Sequence, residues 1–274
     1  MQNQAREAAD VAQFSEIDKS GDPDFFARFL KRAASSRGSR EARAAAIERL
    51  QLRVGNTVLD AGCGLGDSVV ELAGIVGPTG RAVGVDVSKA MIARARSHAD
   101  AQTHPVEFLV ADVQRLPFKD ATFQAARAGS VLICVTDPER ALGELVRVVK
   151  PGGRIVVLDS DNDTLFVDTP YAEITRTIVH CLTDGEYNGA IGRRLPRLFR
   201  EKGLAGVEVW TSVVLMDYEV TKLLLEGIVA RAEQAGTLTP DDAGRWWSSL
   251  KEASASETFT AGKTVFVVAG TRPG

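Results

Sequence analysis

A glycine-rich loop between a predicted strand and a predicted helix is the feature that most constrains the fold of this chain. The apolar run at residues 56–59 predicts a strand, Gly62, Gly64 and Gly66 follow it, and residues 67–76 have helical spacing. Glycine has no Cβ, so the backbone can turn sharply there and a ligand can approach closely. A strand, a tight loop and a helix in this order are typical of an α/β fold that binds a small ligand.

Predicted strands and helices alternate along the next part of the chain. The strands are at residues 81–85, 106–110, 123–128 and 154–158, and the helices are at residues 89–99 and 137–149. This alternation predicts βαβ units, a mainly parallel sheet and right-handed crossovers. From residue 159 onward the pattern is mostly helical, with β-rich runs at residues 207–215 and 263–269. Helices also precede the first strand, and residues 33–39 between two of them predict a flexible joint.

Carboxylates follow three successive predicted strands. Asp60, Asp86 and Asp112 each lie at a strand end, and the carboxyl ends of parallel strands meet at one edge of a sheet. Asp86 is placed to accept hydrogen bonds from ribose hydroxyls, and Asp112 from an adenine amino group. A helix cap and a strand-end turn are the structural alternatives for these two residues. Beside one glycine loop, the three acids together predict a nucleoside-binding edge.

The residue that opens the helix after the glycine loop bears on the charge of the ligand. Asp67 stands where a dinucleotide-binding protein would place a pyrophosphate. A carboxylate there would repel phosphate, although it can cap the helix. Together with Asp60, it favours a positively charged ligand, such as a sulfonium that also carries an α-amino group.

The composition argues against two kinds of partner. Hydrophobic residues make up 45% of the chain, charged residues 25%, and the net charge is -3. This balance gives no sign of the basic face that nucleic-acid binding usually requires. No apolar run approaches the roughly 20 residues that span a bilayer, and the polar N-terminus lacks a signal-peptide core. We therefore expect a cytoplasmic protein without nucleic-acid or membrane partners.

Residue types that often bind metals do not form a recognisable metal site. The three cysteines are far apart and form no CxxC pair: Cys63, Cys134 and Cys181. Three aspartates alternate in a DxDxD pattern: Asp159, Asp161 and Asp163. A calcium loop starting at the first of them would need Gly and Glu where the chain has Thr164 and Pro170. We expect no metal and interpret the aspartates as a solvated strand-end loop that lines the pocket.

Four segments of the chain carry a combination of motifs. They are VLDAGCGLGD at residues 58–67, VGVDVSKAMIARAR at 83–96, VADVQRLPF at 110–118 and TDPERALGELVRVVKPGGRIVV at 136–157. Together they resemble the class I, Rossmann-like, S-adenosylmethionine-dependent methyltransferases. The resemblance covers about residues 45 to 160 and is strongest to the small-molecule branch that includes ubiquinone and menaquinone C-methyltransferases.

The resemblance implies an α/β fold and a division of the chain. We expect a Rossmann-like, mostly parallel seven-stranded sheet with helices on both faces, plus N-terminal and C-terminal helical caps. Residues 1–45 would form an N-terminal helical lid and residues 46–160 the α/β core that binds S-adenosylmethionine. Residues 161–274 would supply helical substrate-cap insertions and the last two strands of the core sheet.

The resemblance also implies roles for ten residues of the cofactor site. They are Asp60, Gly62, Gly64, Gly129 and Ser130 around the methionine part, Asp86 at the ribose, and Val87, Met91, Asp112 and Val113 at the adenine. Two positions depart from the family pattern, because Gln124 stands where Asp is frequent and Cys134 where His is common. These departures leave the cofactor motif intact but caution against copying the substrate chemistry of a relative.

Candidates for the acceptor side are weaker. His180 could act as a general base, although a partly buried structural histidine is the commoner situation. Tyr187 is a similarly weak catalytic candidate. Arg193 or Arg194 could bind an acidic substrate group, and a solvated helix face explains them as well. The N-terminal phenylalanines could form either a lid over the pocket or part of the core: Phe14, Phe25, Phe26 and Phe29.

Taken together, the sequence predicts in-line methyl transfer from S-adenosylmethionine to a small-molecule acceptor. The abundance of Arg, Ala, Val and Gly fits a high-GC bacterial genome, where such enzymes often modify specialised metabolites. The acceptor is left open, and so is the oligomeric state, a homodimer being one option. The alternatives are a cofactor-binding cyclase or binding module without methyl transfer, an NAD-dependent oxidoreductase, and a nucleic-acid or protein methyltransferase. The GxGxG spacing with Asp67 and Asp112 disfavours the oxidoreductase.

Overall fold

The computed structural model describes residues 11–20, 22–99, 106–185 and 187–274. The strands of its sheet are β1 (Thr57–Ala61), β2 (Arg81–Asp86), β3 (Val106–Val110), β4 (Phe123–Gly129), β5 (Val149–Val167), β6 (Ala205–Met216) and β7 (Ala261–Thr271). The α-helices are α1 (Pro23–Ala34), α2 (Arg37–Arg49), α3 (Asp67–Val76), α4 (Lys89–Ala99), α5 (Pro138–Val148), α6 (Ala172–Gly185), α7 (Ile191–Glu201), α8 (Tyr218–Gln234) and α9 (Pro240–Ala255). Short 3-10 helices lie at Val11–Lys19 and Leu132–Cys134.

The sheet has seven strands in the order β3-β2-β1-β4-β5-β7-β6. Strands β1 to β5 pair in parallel, and β7 pairs antiparallel with both β5 and β6. The strand order reverses between β1 and β4, which is the point where open α/β sheets bind their ligands. The predicted fold, a Rossmann-like and mostly parallel sheet with helices on both faces, is confirmed.

The two faces of the sheet are covered by different helices. Alternate side chains of a strand point to opposite faces, so Leu59 packs in the cluster with α5 and α7, whereas Val58 packs in the cluster with α2, α3 and α4. Strands buried on both faces have near-continuous apolar sequences. This explains why β1 and β2 were recognisable as short apolar runs.

A third cluster forms a helical cap core beside the sheet. It joins residues of α1, α6, α8 and α9, and it contains Phe25 and Phe26 from α1 together with Trp246 from α9. The Trp246 side chain is fully buried, and its Nε1 donates a hydrogen bond to Oγ1 of Thr175 on α6 (2.9 Å). Among the described residues, no helix combines the length and apolar character needed to cross a bilayer.

The predicted flexible joint at residues 33–39 is wrong in its extent. Helix α1 continues to Ala34 and α2 begins at Arg37, so only two residues separate them. The Ser36 hydroxyl accepts a hydrogen bond from the Ser39 amide (3.1 Å) and caps the second helix. Serine in this position therefore starts a helix rather than loosening the chain.

Strand β5 is much longer than predicted. The expected strand at residues 154–158 extends to Val149–Val167. Its second half is a strand because β7 pairs antiparallel with it as far as Val167, which lies opposite Ala261. Asp159 and Asp161 consequently lie inside the strand and are fully buried. The prediction of a solvated DxDxD loop is wrong for these two residues, since burial is set by a partner strand about a hundred residues away.

We predict that Trp246→Ala lowers the free energy of unfolding by about 3–5 kcal/mol, because the change removes a large buried ring and leaves a cavity. Urea denaturation would measure the loss. Trp247→Ala is the matched control, since this neighbouring ring packs at the edge of the cap core and is only half-buried. If both variants lost the same free energy of unfolding, burial of Trp246 at the centre of the cap core would not explain the effect.

Candidate functional site

A cavity of about 530 Å³ opens at the carboxyl ends of β1, β4 and β5. Its floor is the glycine loop after β1 and the end of β4, and its walls come from α1, the start of α2, β6 and α8. The apolar part of the lining includes Phe14, Phe29, Leu30, Ile133, Val214, Met216, Val220, Leu224 and Val265. Pockets of this size and mainly apolar lining are typical of sites for small molecules.

The glycine loop is held against β2 by backbone hydrogen bonds. The amides of Gly62 and Cys63 both donate to the carbonyl of Val85 (2.7 and 2.9 Å). Gly62 has a φ of +74°, and a Cβ there would clash with the side chain of Val131. Glycine is therefore required at this position both for the backbone conformation and for the close approach of the loop after β4.

The Asp86 carboxylate ties the glycine loop to the start of α4. Its Oδ2 accepts from the Gly64 amide (2.9 Å) and its Oδ1 from the Ser88 amide (2.9 Å). Burial raises the pKa of Asp86 above its ordinary value, although these two amides act in the opposite direction. A carboxylate has about four lone-pair positions, so Asp86 retains the capacity to accept further hydrogen bonds.

An N-terminal aspartate sits on the amino end of α4. The Asp18 carboxylate accepts from the Ser88 hydroxyl (2.6 Å) and from the amides of Lys89 (2.8 Å) and Ala90 (3.2 Å). The Ser88 hydroxyl and then these amides hold the pKa of Asp18 below its ordinary value. The 3-10 helix that precedes α1 is thereby fastened beside Asp86, which belongs to the predicted ribose site.

Asp60 and Arg127 form a buried pair of opposite charges on the floor of the cavity. Oδ1 of Asp60 lies 3.6 Å from Nε of Arg127, and their side chains are only 3% and 7% exposed. Burial raises the pKa of Asp60, and the negative charge of Asp86 adds to this rise while Arg127 opposes it. The strands β1 and β4 that carry the pair are neighbours in the sheet.

The turn after β4 has an unusual backbone. Ser130 has a φ of +57° and donates its amide to the carbonyl of Leu158 (2.7 Å). Just beyond it, the Leu132 amide donates to Oδ2 of the buried Asp159 (3.0 Å). A non-glycine residue with positive φ costs free energy that the surroundings must offset, and such residues concentrate at functional sites.

The structure brings half of the predicted cofactor residues to the cavity. Its lining includes all five predicted for the methionine part: Asp60, Gly62, Gly64, Gly129 and Ser130. The other five lie outside the lining. Asp86 is connected to the lining by the hydrogen bond that it accepts from the Gly64 amide. The Val87 side chain is 51% exposed. Asp112 is also exposed, and its carboxylate accepts a hydrogen bond from the Gln114 amide (2.8 Å). Val113 and Met91 are buried, the latter in the cap core.

The two weak catalytic candidates lie away from the cavity. His180 is exposed on α6, so the expectation of a partly buried histidine is wrong. Tyr187 is 59% exposed. Neither side chain belongs to the cavity lining. The helical pattern could not show which face of α6 would be covered, because that depends on where α8 packs.

The structure shows the surroundings of Arg193 and of the four N-terminal phenylalanines. Arg193 is paired with the buried carboxylate of Asp161 and with Asp163 (3.1 Å), two of the three aspartates of the DxDxD segment. The four phenylalanines occupy two different environments. Phe14 and Phe29 line the cavity, whereas Phe25 and Phe26 are buried in the cap core. Within the described ranges, no cluster of three or more His, Cys, Asp or Glu side chains could hold a metal ion.

Known proteins provide an independent comparison. Residues 52–203, more than half of the chain, match the family described as a methyltransferase domain. The chain belongs to the class I S-adenosylmethionine-dependent methyltransferases. It is also 35% identical over 268 residues to an uncharacterized 37.1 kDa protein in transposon TN4556 of Streptomyces fradiae, a match covering 96% of this chain and 76% of that protein.

Two further relatives bear on the core and on the fold. The demethylmenaquinone methyltransferase of Oceanobacillus iheyensis is 35% identical over 120 residues, which cover 43% of this chain and 50% of that enzyme. The chain thus spans about half the length of the demethylmenaquinone methyltransferases that it matches. The structure of Haemonchus contortus phosphoethanolamine N-methyltransferase 2 with S-adenosyl-L-methionine superposes with a TM-score of 0.62 at 18% identity, over 95% of this chain and 60% of that one. This last similarity concerns the fold alone.

Sequence reasoning missed two charged residues of the methyltransferase site. Arg127 had a visible signal, because a charged residue interrupts the apolar run of β4. Asp18 had none, since its partners at Ser88 to Ala90 are about seventy residues away. Contacts between distant segments cannot be read from local spacing.

We predict that Asp18→Ala increases hydrogen exchange at the Lys89 and Ala90 amides, because it removes their hydrogen-bond acceptor. Exchange measured by NMR or mass spectrometry would detect the change. Glu16→Ala is the control, since Glu16 lies on the same segment and pairs with Lys19 (2.9 Å). Equal protection in both variants would show that Asp18 does not hold the segment.

The contact between the Asp18 carboxylate and the amino end of α4 should weaken at low pH. The folded protein holds the pKa of Asp18 below its unfolded value of about 3.9. Its contribution to stability is therefore complete above that value and disappears as the pH falls through the lower, folded pKa. Protection of the two amides should be constant near neutral pH and decrease in acid, and it should be pH-independent in Asp18→Ala.

Proposed function

We propose that this chain transfers a methyl group from S-adenosylmethionine to a small-molecule acceptor. The observation that carries the proposal is the convergence of Asp60 and Asp86 on the glycine loop of a class I methyltransferase fold. Asp86 is fixed by two amides and keeps acceptor capacity for ribose hydroxyls. Asp60 supplies a buried negative charge for the α-ammonium of the cofactor.

The fit of the cofactor is supported by the shape of the site. Positive φ at Gly62 and Gly64 brings backbone rather than side chains to the cavity floor, where a ligand can approach closely. The predicted adenine residues Val87, Met91, Asp112 and Val113 follow β2 and β3, the strands beyond β1 in the sheet. We infer that the cofactor extends from Asp60, across Asp86, towards these residues.

The acceptor would occupy the part of the cavity away from the glycine loop. There the apolar walls of α1, β6 and α8 are interrupted by the polar side chains of Ser160, Asn162 and Lys263. Nζ of Lys263 donates to Oδ1 of Asn162 (2.6 Å). This combination suits a mainly apolar molecule with a few polar groups, and a specialised metabolite is the class that the composition of the chain suggests.

The proposed functional roles correspond to three consecutive segments of the sequence. Residues 1–45 would act as the lid, 46–160 as the cofactor-binding core, and 161–274 as the substrate cap with the last two strands. When bound, S-adenosylmethionine supplies a methyl group on an already activated sulfonium. The residues of the chain would then align the acceptor and exclude water, and alignment of this kind can lower a barrier by about 7–11 kcal/mol. This mechanism needs no fixed catalytic base for acceptors that are already nucleophilic.

We predict that the protein binds both S-adenosylmethionine and S-adenosylhomocysteine, and that Asp86→Ala weakens binding at least tenfold. The substitution removes the proposed acceptor of the ribose hydroxyls, and a tenfold change corresponds to about 1.4 kcal/mol. Isothermal titration calorimetry would measure it. Asp120→Ala is the control, because Asp120 is an exposed partner of Arg147 (2.7 Å) before β4. Failure of the unaltered protein to bind either compound would overturn the cofactor assignment.

A second measurement separates an enzyme from a protein that only binds the cofactor. Incubation with methyl-labelled S-adenosylmethionine and a panel of aromatic, hydroxylated and amine-bearing small molecules should transfer label to at least one of them. Binding without transfer to any small molecule would favour a cyclase or a binding module. Transfer to protein or nucleic acid alone would contradict the small-molecule acceptor.

A further inference from the structure

Arg127 is the least satisfied charged side chain on the cavity floor. It lies within β4 among buried alanines, and its side chain is 7% exposed. Its Nε and Nη1 atoms are buried and donate no hydrogen bond within the described part of the chain. Leaving a buried charged donor without an acceptor is costly, so the position calls for an explanation in terms of function.

A second buried arginine makes the contrast clear. Arg154, on the neighbouring strand β5, is 9% exposed, and all three of its guanidinium nitrogens donate: to the Arg49 carbonyl (3.0 Å), to Thr271 (3.0 Å) and to Glu208 (2.7 Å). It lies near the amino end of the parallel strands, away from the cavity. Arg154 therefore serves the fold, whereas Arg127 faces the ligand cavity.

The guanidinium of Arg127 occupies space that a side chain at position 129 would otherwise fill. Gly129 follows two residues later on the same side of β4, and a Cβ there would clash with Nη2 of Arg127. Oδ1 of Asp60 lies 3.6 Å from Nε of Arg127, and no hydrogen bond joins the two side chains. A cation and an anion thus stand next to each other at the base of the cavity, and both residues belong to its lining.

We propose that Arg127 binds the α-carboxylate of S-adenosylmethionine, while Asp60 binds its α-ammonium. The inference rests on the proposed cofactor and deepens it by assigning the residue that recognises the carboxylate. The amino-acid end of the cofactor carries one positive and one negative group on the same carbon, which matches a neighbouring Asp and Arg. A planar guanidinium can hold a carboxylate with two parallel hydrogen bonds.

The position of Arg127 favours the cofactor over an acidic acceptor as the source of the carboxylate. Arg127 is paired with Asp60, and Asp60 lies on β1 two residues before Gly62 of the glycine loop. The proposed acceptor region, near Ser160 and Lys263, lies along β5 and β7 instead. A carboxylate next to Asp60 must also bring a positive group to avoid repulsion, and the cofactor has one on the adjacent atom.

The test is a cycle that removes the carboxylate from the ligand and the guanidinium from the protein. S-adenosylmethionine and decarboxylated S-adenosylmethionine, which keeps the ammonium, are titrated calorimetrically without acceptor into the unaltered protein and into Arg127→Met. We expect each deletion alone to weaken binding by about tenfold to a hundredfold, as for other hydrogen bonds to charged groups. In Arg127→Met the two ligands should bind with nearly equal affinity, because the second deletion removes nothing further.

Two further variants keep the result interpretable. Arg154→Met is the control for loss of a buried arginine, and it should lower thermal stability while preserving the preference for the carboxylate-bearing ligand. Arg127→Lys keeps the charge but loses the planar pair of donors, so it should show an intermediate preference. It also carries the test if Arg127→Met does not fold.

The possible outcomes separate this inference from the proposed function. If the unaltered protein binds neither ligand, the cofactor assignment itself fails. If it binds both but Arg127→Met and Arg127→Lys retain the full preference for the carboxylate, the cofactor assignment stands and the role of Arg127 is refuted. Equal weakening of both ligands by the Arg127 substitutions would also refute it, since that pattern indicates a general structural effect.

Discussion

The candidate site depends on the hydrogen bonds that hold the glycine loop against the end of β2. Two loop amides share the carbonyl of Val85, and the Gly64 amide is bound by the Asp86 carboxylate. These bonds can form only because β1 and β2 are parallel neighbours whose carboxyl ends coincide. The loop is therefore shaped by the sheet before any ligand arrives. The same bonds place Asp60 and Asp86 close enough for the charge of Asp86 to raise the pKa of Asp60.

Burying charged side chains costs free energy, and this fold meets that cost in two different ways. Asp161 is neutralised by Arg193, and Arg154 donates through every nitrogen, so these groups are satisfied within the protein. Asp60 and Arg127 face each other at 3.6 Å without a hydrogen bond. A pair held apart in this way retains much of its desolvation cost. Such a site is organised in advance for a ligand whose charges complement it, because the protein has already met the cost of burial during folding.

The parts of the fold that sequence could predict are those governed by local pattern. The helix at residues 67–76 was predicted with its observed bounds, and strands β1 and β2 were recognisable because they are short, apolar and buried on both faces. Strand β5 was predicted far too short, because its second half is a strand only through pairing with β7. The same limit applies to the exposure of His180, the capping of α4 by Asp18 and the partner of Arg127. Each depends on a segment distant in sequence.

The N-terminal 3-10 helix and α1 are connected to the sheet and to the cap core through a few residues. Phe14 contacts Phe26 edge to face and Phe29 at a tilt, and these rings join the cavity wall to the cap core that contains Met91. Asp18 accepts a hydrogen bond from Ser88, which is one residue beyond Val87 and two beyond Asp86, and from the first two amides of α4. The segment that would cover the acceptor is thus anchored at the proposed adenosine end of the cofactor. A ligand that orders Asp86 and Ser88 would also steady this segment, since Ser88 is bonded to both Asp86 and Asp18. Cofactor binding and the ordering of the 3-10 helix that carries Asp18 would then be energetically linked, with Ser88 as the shared contact.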